Sequence, residues 1–206
     1  MLFLDRIDAA RQLTKKLEKY KGLDGVVMAI PRGGVPIGEY IARHIHFALD
    51  LLMTKKLGHP LNEEFAIGAV GLEDVIIEEK SGISAEYIET ETQRIRQQLK
   101  DRYQEFVGER KPLDIEGKIV IVVDDGIATG RTILATLKML QSKRPKKLIV
   151  AVPVASEQAA ERIAAEVDEF ISLYTPFPFY GVGRFYQDFS QTTDEEVIAL
   201  LKENTE

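Results

Sequence analysis

The chain has 206 residues, 45% of them hydrophobic and 29% charged, with a formal net charge of −6 and no cysteine. One full domain is expected at ~100–200 residues per domain, with enough apolar side chain for a core, so wholesale disorder is excluded. The acidic balance leaves no general basic footprint for duplex nucleic acid, and the lack of cysteine rules out a disulfide framework, a thiolate metal site and a cysteine nucleophile.

The chain opens on MLFLDRIDAARQL. It carries acids early and lacks the long apolar stretch of a secretory signal. No later run approaches the ~20 apolar residues of a membrane span, so a cytoplasmic protein is expected. Ile7, Ala10, Leu13, Leu17 and Tyr20 recur at helical spacing and predict a first helix over about 5–20, stopped by Gly22. Val26 to Ile30 is a short, continuously apolar strand that ends abruptly in PRGG. Pro36 suits the first turn of a second helix, expected over 36–46.

Leu49 to Thr54 reads as a second strand, with TKKLG at its end. The stretch 57–84 is irregular, with AIGAV and DVIIEE as short strands of a hairpin-like arm. Residues 85–107 predict a long amphipathic helix with Ile88, Ile95, Leu99, Tyr103 and Phe106 on one side. Ile119 to Val123 is the strongest strand. It runs into DDGIATGRT and a helix bearing Ile133, Leu134, Leu137 and Leu140. A strand at 148–152, a helix at 156–166 and a strand at 170–173 complete the alternation.

Apolar strands separated by helices predict an α/β fold, a parallel sheet covered on both faces. No linker or repeat divides it, so residues 1–206 are read as a single domain. Ligands in such sheets sit beyond the carboxyl ends of the strands. PRGG, TKKLG and DDGIATGRT are each expected at such an end, which would bring three distant polar loops to one rim.

The loop after the strongest strand carries most of the chemistry. It delivers Asp124 and Asp125 together at the strand end. Strand neighbours face opposite sides, so both acids address one ligand only where the chain already turns, a turn that Gly126 eases. Thr129, Gly130 and Thr132 follow as a helix begins, where unpaired N–H groups and the helix dipole favour an anion. Carboxylates suit vicinal hydroxyls, and the helix start suits phosphate. A molecule with a diol at one end and a phosphate at the other, such as a ribose 5-phosphate, satisfies both. A Walker A loop does not fit, because Arg131 stands where its lysine belongs, and the GxGxxG fingerprint is absent.

The apolar strand, the DD pair and TGRT resemble the phosphoribosyl-pyrophosphate loop of type I phosphoribosyltransferases across Val120 to Thr132. PRGGVP at Pro31 to Pro36 looks like the pyrophosphate loop of that family. KKLGHP, NEEFAIGAV and FYQDFSQTTDEEV resemble one bacterial and archaeal subgroup of it, so the likeness covers most of the chain.

The resemblance implies a flexible β-arm over about 58–83 and a small hood from the chain ends, with a tail over about 174–206. It also implies roles for particular residues. Asp124 and Asp125 would bind ribose hydroxyls. Gly126, Ala128, Thr129, Gly130, Arg131 and Thr132 would line the sugar-phosphate loop, with Ala128 to Thr132 holding the 5-phosphate. Arg32, Gly33, Gly34 and Lys56 would stabilise departing pyrophosphate. Mg²⁺ would be held mainly by substrate and water.

The implied activity transfers a 5-phosphoribosyl group to a nucleobase-like acceptor. A non-catalytic sensor of the same activated sugar and a phosphosugar hydrolase are the rival readings. Dimers are common in the family. Glu64, in the arm, is read first as a surface carboxylate and second as a substrate contact. The aromatics Tyr174, Phe177, Phe179, Tyr180, Phe185, Tyr186 and Phe189 are read mostly as core. The basic run at 143–147 is read as a solvated turn, and His44, His46 and His59 show no metal-ligand spacing.

Overall fold

The computed structural model describes residues 3–78 and 82–204, and the side chains of residues 63, 64, 131 and 132 lie outside the description. The expected contact of Glu64 and the side-chain roles of Arg131 and Thr132 therefore fall outside the described residues. The elements run α1 (Arg6–Leu17), β1 (Gly25–Ala29), α2 (Gly34–Ile45), β2 (Ala48–Leu51), β3 (Thr54–His59), β4 (Asn62–Gly71), β5 (Val75–Ile77) and α3 (Ala85–Val107), then β6 (Ile119–Val123), α4 (Arg131–Ser142), β7 (Lys147–Val154), α5 (Glu157–Ala164), β8 (Glu169–Tyr174) and α6 (Asp194–Glu203).

Five strands form a parallel sheet in the order β2-β1-β6-β7-β8. Alternation along each strand splits the core in two. Val27, Ala29, Ile121 and Val123 face one side and pack with Leu13, Leu17, Ile37 and Ile41 of α1 and α2. Val26, Met28, Val120 and Val122 face the other and pack with Leu137 of α4 and Ile163 of α5. Burial on both faces explains why these strands are continuously apolar in sequence.

Polar residues set the helix starts. Asp5 caps α1 by accepting from the Asp8 N–H, so the helix begins one residue later than the hydrophobic spacing predicts. Ser84 and Ser156 cap α3 and α5 in the same way. Thr193 and Glu196 form a reciprocal capping box on α6, a helix that the hydrophobic pattern alone does not predict.

The second strand needs correction. The sequence pattern carries it to Thr54, but the edge strand β2 stops at Leu51, where its partner in the sheet, β1, also ends at Ala29. The Leu52 N–H makes a last bond to the Ala29 carbonyl at 2.9 Å. From Thr54 the chain pairs antiparallel with β4, opposite Gly71, and begins a separate sheet in the order β3-β4-β5. Lys55 and Lys56 therefore belong to this arm and do not end the second strand. The base of the arm is buried at Leu57, Ile67 and Val70, whereas Leu61 near its tip is 90% exposed. No helix among the described residues is long and apolar enough to cross a membrane.

Candidate active site

The carboxyl ends of β1 and β6 open into a cavity of about 500 Å³. Its walls bring together Arg32 of the PRGG turn, Met53 and Thr54 where the arm begins, Arg102 of α3, and the loop from Asp124 to Gly130. Two of the three predicted loops thus meet directly. From the third, Thr54 reaches the cavity wall, and Lys55 and Lys56 do not line it. The Lys55 ammonium lies 3.2 Å from Gln98 Oε1.

The loop after β6 is tied down from below. The Ile127 N–H donates to the Val154 carbonyl, and the Ser156 N–H donates back to Ile127, each at 2.9 Å. Ser156 Oγ also donates to the Ala128 carbonyl at 2.6 Å. Gly130 then enters α4 with φ +70°, a left-handed conformation that glycine adopts without Cβ strain.

Among the described residues, four of the six α-helices carry a side-chain N-cap, and α2 and α4 do not. These are the two helices that start at the cavity rim. The first N–H groups of a helix have no intrahelical partner. At α2 those of Gly34 and Val35 are taken by the Ile30 and Arg32 carbonyls at 3.0 and 3.1 Å, and Pro36 has none, so α4 is the start that suits an anion.

The two aspartates differ sharply. Asp124 lines the cavity, and its Oδ1 accepts from the Asp125 N–H at 2.8 Å. Asp125 is engaged behind the loop, so the structure does not bring both acids to the cavity. Asp125 Oδ2 accepts from Arg6 Nε at 3.0 Å and Nη2 at 2.8 Å. Arg6 Nη1 donates to the Ser190 carbonyl at 2.7 Å, and the guanidinium lies 4.2 Å from the centre of the Phe189 ring. The Tyr186 hydroxyl completes the enclosure by donating to the Asp125 carbonyl at 2.6 Å.

Burial pushes the Asp124 carboxyl well above the usual carboxylate range, and the negative charge of Asp125 adds to the rise. Burial raises Asp125 as well, with Arg6 opposing it. A hydroxyl donor or a cation brought to Asp124 would offset the cost of its charge.

Glycine in the PRGG turn serves close packing. Gly33 has an ordinary φ of −61°, so left-handed torsion is not what it supplies. A Cβ there would stand 2.0 Å from Asp125 Oδ2, and one on Gly34 would stand 2.7 Å from the Val123 carbonyl oxygen. Bare backbone at both positions lets the PRGG turn seat against the end of β6. At Gly126 a Cβ would stand 2.6 Å from Val182 Cγ1, so the tail packs directly onto the loop.

The sequence reading missed Arg6, Tyr186, Arg102 and Asp194. Arg6 and Tyr186 lie 119 and 61 residues from Asp125, and no local pattern announces such a contact. Asp194 did leave a signal, because TDEE is a capping-box sequence. The expectation that most tail aromatics are core is met in full by Tyr186 alone, which is buried beside Phe3; Phe179, Phe185 and Phe189 are half-buried, Phe179 stacking on Phe185 with ring centres 5.6 Å apart, and Tyr174 is exposed. Phe177 and Tyr180 are exposed. The basic run at 143–147 is held by acids. Lys143 pairs with Glu73 and Asp74, Arg144 with Glu116, and Lys147 with Glu169.

A parallel sheet covered by helices, with its cavity at the carboxyl edge, defines the class: an α/β protein whose candidate site lies beyond the strand ends. The family model "Phosphoribosyl transferase domain" matches residues 4–180, and the chain belongs to that family. The solved structure of the protein TT1426 from Thermus thermophilus is 37% identical, with a TM-score of 0.87, over 98% of this chain and 99% of that one. Two provisionally named phosphoribosyl transferases of Mycobacterium tuberculosis are 35% identical over 205 residues, 97% of this chain and 46% of each relative. The chain thus spans about half the length of these curated relatives. A hypoxanthine-guanine phosphoribosyltransferase from Bacillus anthracis shares the fold at 18% identity and a TM-score of 0.50, over 88% of this chain and 87% of that one.

Proposed function

We propose that the chain transfers the 5-phosphoribosyl group of phosphoribosyl pyrophosphate to a ring nitrogen of a nucleobase-like acceptor and releases pyrophosphate. One observation carries the reading. A half-buried carboxylate, Asp124, shares a cavity with the uncapped, left-handed entry into α4 at Gly130. The first suits a sugar diol and the second suits its phosphate.

In this reading Asp124 accepts from the ribose hydroxyls, and Asp125, fixed by Arg6, holds the shape of the loop. The backbone from Ala128 to Thr132 receives the 5-phosphate. Arg32 and the turn at Gly33 and Gly34 receive the pyrophosphate, and Lys56 reaches it when the arm closes. The acceptor nitrogen forms its bond to the anomeric carbon as the bond to pyrophosphate breaks, and the leaving group departs with the electron pair. The sugar passes through an oxocarbenium-like state, so positioning and charge stabilisation do the work without a covalent enzyme intermediate. A closed arm would keep water from the electrophilic sugar.

The donors fit a hard cation of the Mg²⁺ type, which takes one or two carboxylates together with substrate phosphates and waters. Asp124 offers one such carboxylate. Among the described residues no group of three His, Asp or Glu side chains could hold a metal by itself. Bound with the substrate, Mg²⁺ would neutralise charge on the leaving diphosphate.

Incubating the protein with labelled phosphoribosyl pyrophosphate, Mg²⁺ and a panel of bases tests the proposal. Base-dependent release of pyrophosphate is expected. Tight binding without turnover would establish a sensor, and base-independent release would establish a hydrolase.

A further inference from the structure

We propose that Arg32 and Arg102 converge on one anion position at the cavity wall, held in this structure by the Asp194 carboxylate, and that a phosphate of a diphosphate ligand takes that position. The inference rests on the reading above and adds Arg102 and Asp194 to it. The three residues come from three elements: the PRGG turn, α3 and the first residue of α6. Asp194 Oδ1 accepts from Arg32 Nη1 at 3.3 Å and from Arg102 Nη2 at 2.5 Å. Both arginines line the cavity.

Two guanidinium groups this close repel one another unless an anion lies between them. Arg102 is also fixed in orientation. Its Nη1 lies 2.7 Å from Glu105 Oε2, and its guanidinium lies 4.4 Å from the centre of the Phe106 ring. A planar fork held in place, with a second fork facing the same point, suits the oxygens of a phosphate as well as those of a carboxylate.

Exchange of one anion for the other is inexpensive. The side chains of Arg32, Arg102 and Asp194 are 33%, 38% and 35% exposed, and ion pairs this open to water contribute little. A diphosphate carries more charge than a single carboxylate and competes well. Release of the Asp194 side chain would leave α6 started, because Thr193 and Glu196 cap it without Asp194.

Calorimetric titration of the full chain with pyrophosphate and, separately, with ribose 5-phosphate, both with Mg²⁺, tests the assignment. Arg102→Gln is expected to weaken pyrophosphate binding about tenfold and to leave ribose 5-phosphate within about twofold. Asp194→Asn removes the competing anion and is expected to tighten pyrophosphate binding about threefold. Pyrophosphate binding unchanged by Arg102→Gln, or ribose 5-phosphate weakened in its place, overturns the assignment. So does a loss of pyrophosphate binding in Asp194→Asn, which carries the test alone if Arg102→Gln does not fold. If the unmodified chain binds phosphoribosyl pyrophosphate yet meets one of these outcomes, only the arginine assignment falls. If it binds neither phosphoribosyl pyrophosphate nor pyrophosphate, the broader reading falls with it.

Discussion

The two ends of the central sheet treat charge in opposite ways. At the amino end, where β7 and β8 begin, Glu169 accepts from Lys19 at 2.6 Å, from Lys147 at 2.9 Å and from the Tyr20 hydroxyl. Partial burial would raise its pKa, but these three donors win and bring it down to about 2. At the carboxyl end Asp124 is half-buried beside another acid, and desolvation, with the charge of Asp125, drives its pKa up. The first end is saturated and stabilises the fold. The second leaves a carboxylate and the start of α4 short of partners, a local cost that makes sense at a ligand site.

The largest effect should come from the unsatisfied end. Asp124→Asn should weaken binding of phosphoribosyl pyrophosphate or lower its turnover at least about tenfold, the loss of one charge-assisted bond to a hydroxyl. The melting temperature should hold or rise, because a half-buried charge is removed. Loss of folding with no specific loss of binding would place Asp124 among the structural acids.

Arg6→Met should act mainly on stability. It strands Asp125 behind the loop and should cost about 3 kcal/mol, measured by urea unfolding. Adding Asp125→Asn should recover part of that loss. Additive costs in the double variant would show that the pair does not act as a unit.

Proton linkage gives a smaller effect. The folded pKa of Asp124 lies above its ordinary value of about 3.9, so the folded state holds the proton over that window and the unfolded state does not. Asp124 therefore makes the free protein less stable as pH rises through the window. Asp124→Asn should remove that slope from a plot of melting temperature against pH. Glu169 has the opposite sign: its stabilisation is present above the ordinary carboxylate range and fades as pH falls toward about 2. Glu169→Gln should cost about 1 kcal/mol near neutral pH, and less in acid. Its binding of pyrophosphate should not change, because it sits at the far end of the sheet.

The parallel sheet is legible in the sequence because its central strands β1, β6 and β7 are apolar on both faces and are bounded by turns. The carboxylate pair and TGRT are legible because they are contiguous. Three features escape for physical reasons. The LLMTKK run has no punctuation between Leu51 and Thr54, so the passage from the central sheet into the arm is set by where β1 ends. The glycines of PRGG look like torsional devices, yet Gly33 is small because a carboxylate from a distant loop lies against it. Separating Asp124 from Asp125 requires Arg6, and the Arg6–Asp125 contact spans 119 residues.

The stitching of Ile127 and Ala128 to Val154 and Ser156 has a consequence for the energetics of recognition. A segment anchored at three hydrogen bonds has already surrendered most of its conformational freedom during folding. An arriving phosphate would find its cradle assembled, and little of the interaction energy would be spent on ordering the receptor. Any induced rearrangement would then be borne by the arm, where Leu61 stands 90% exposed.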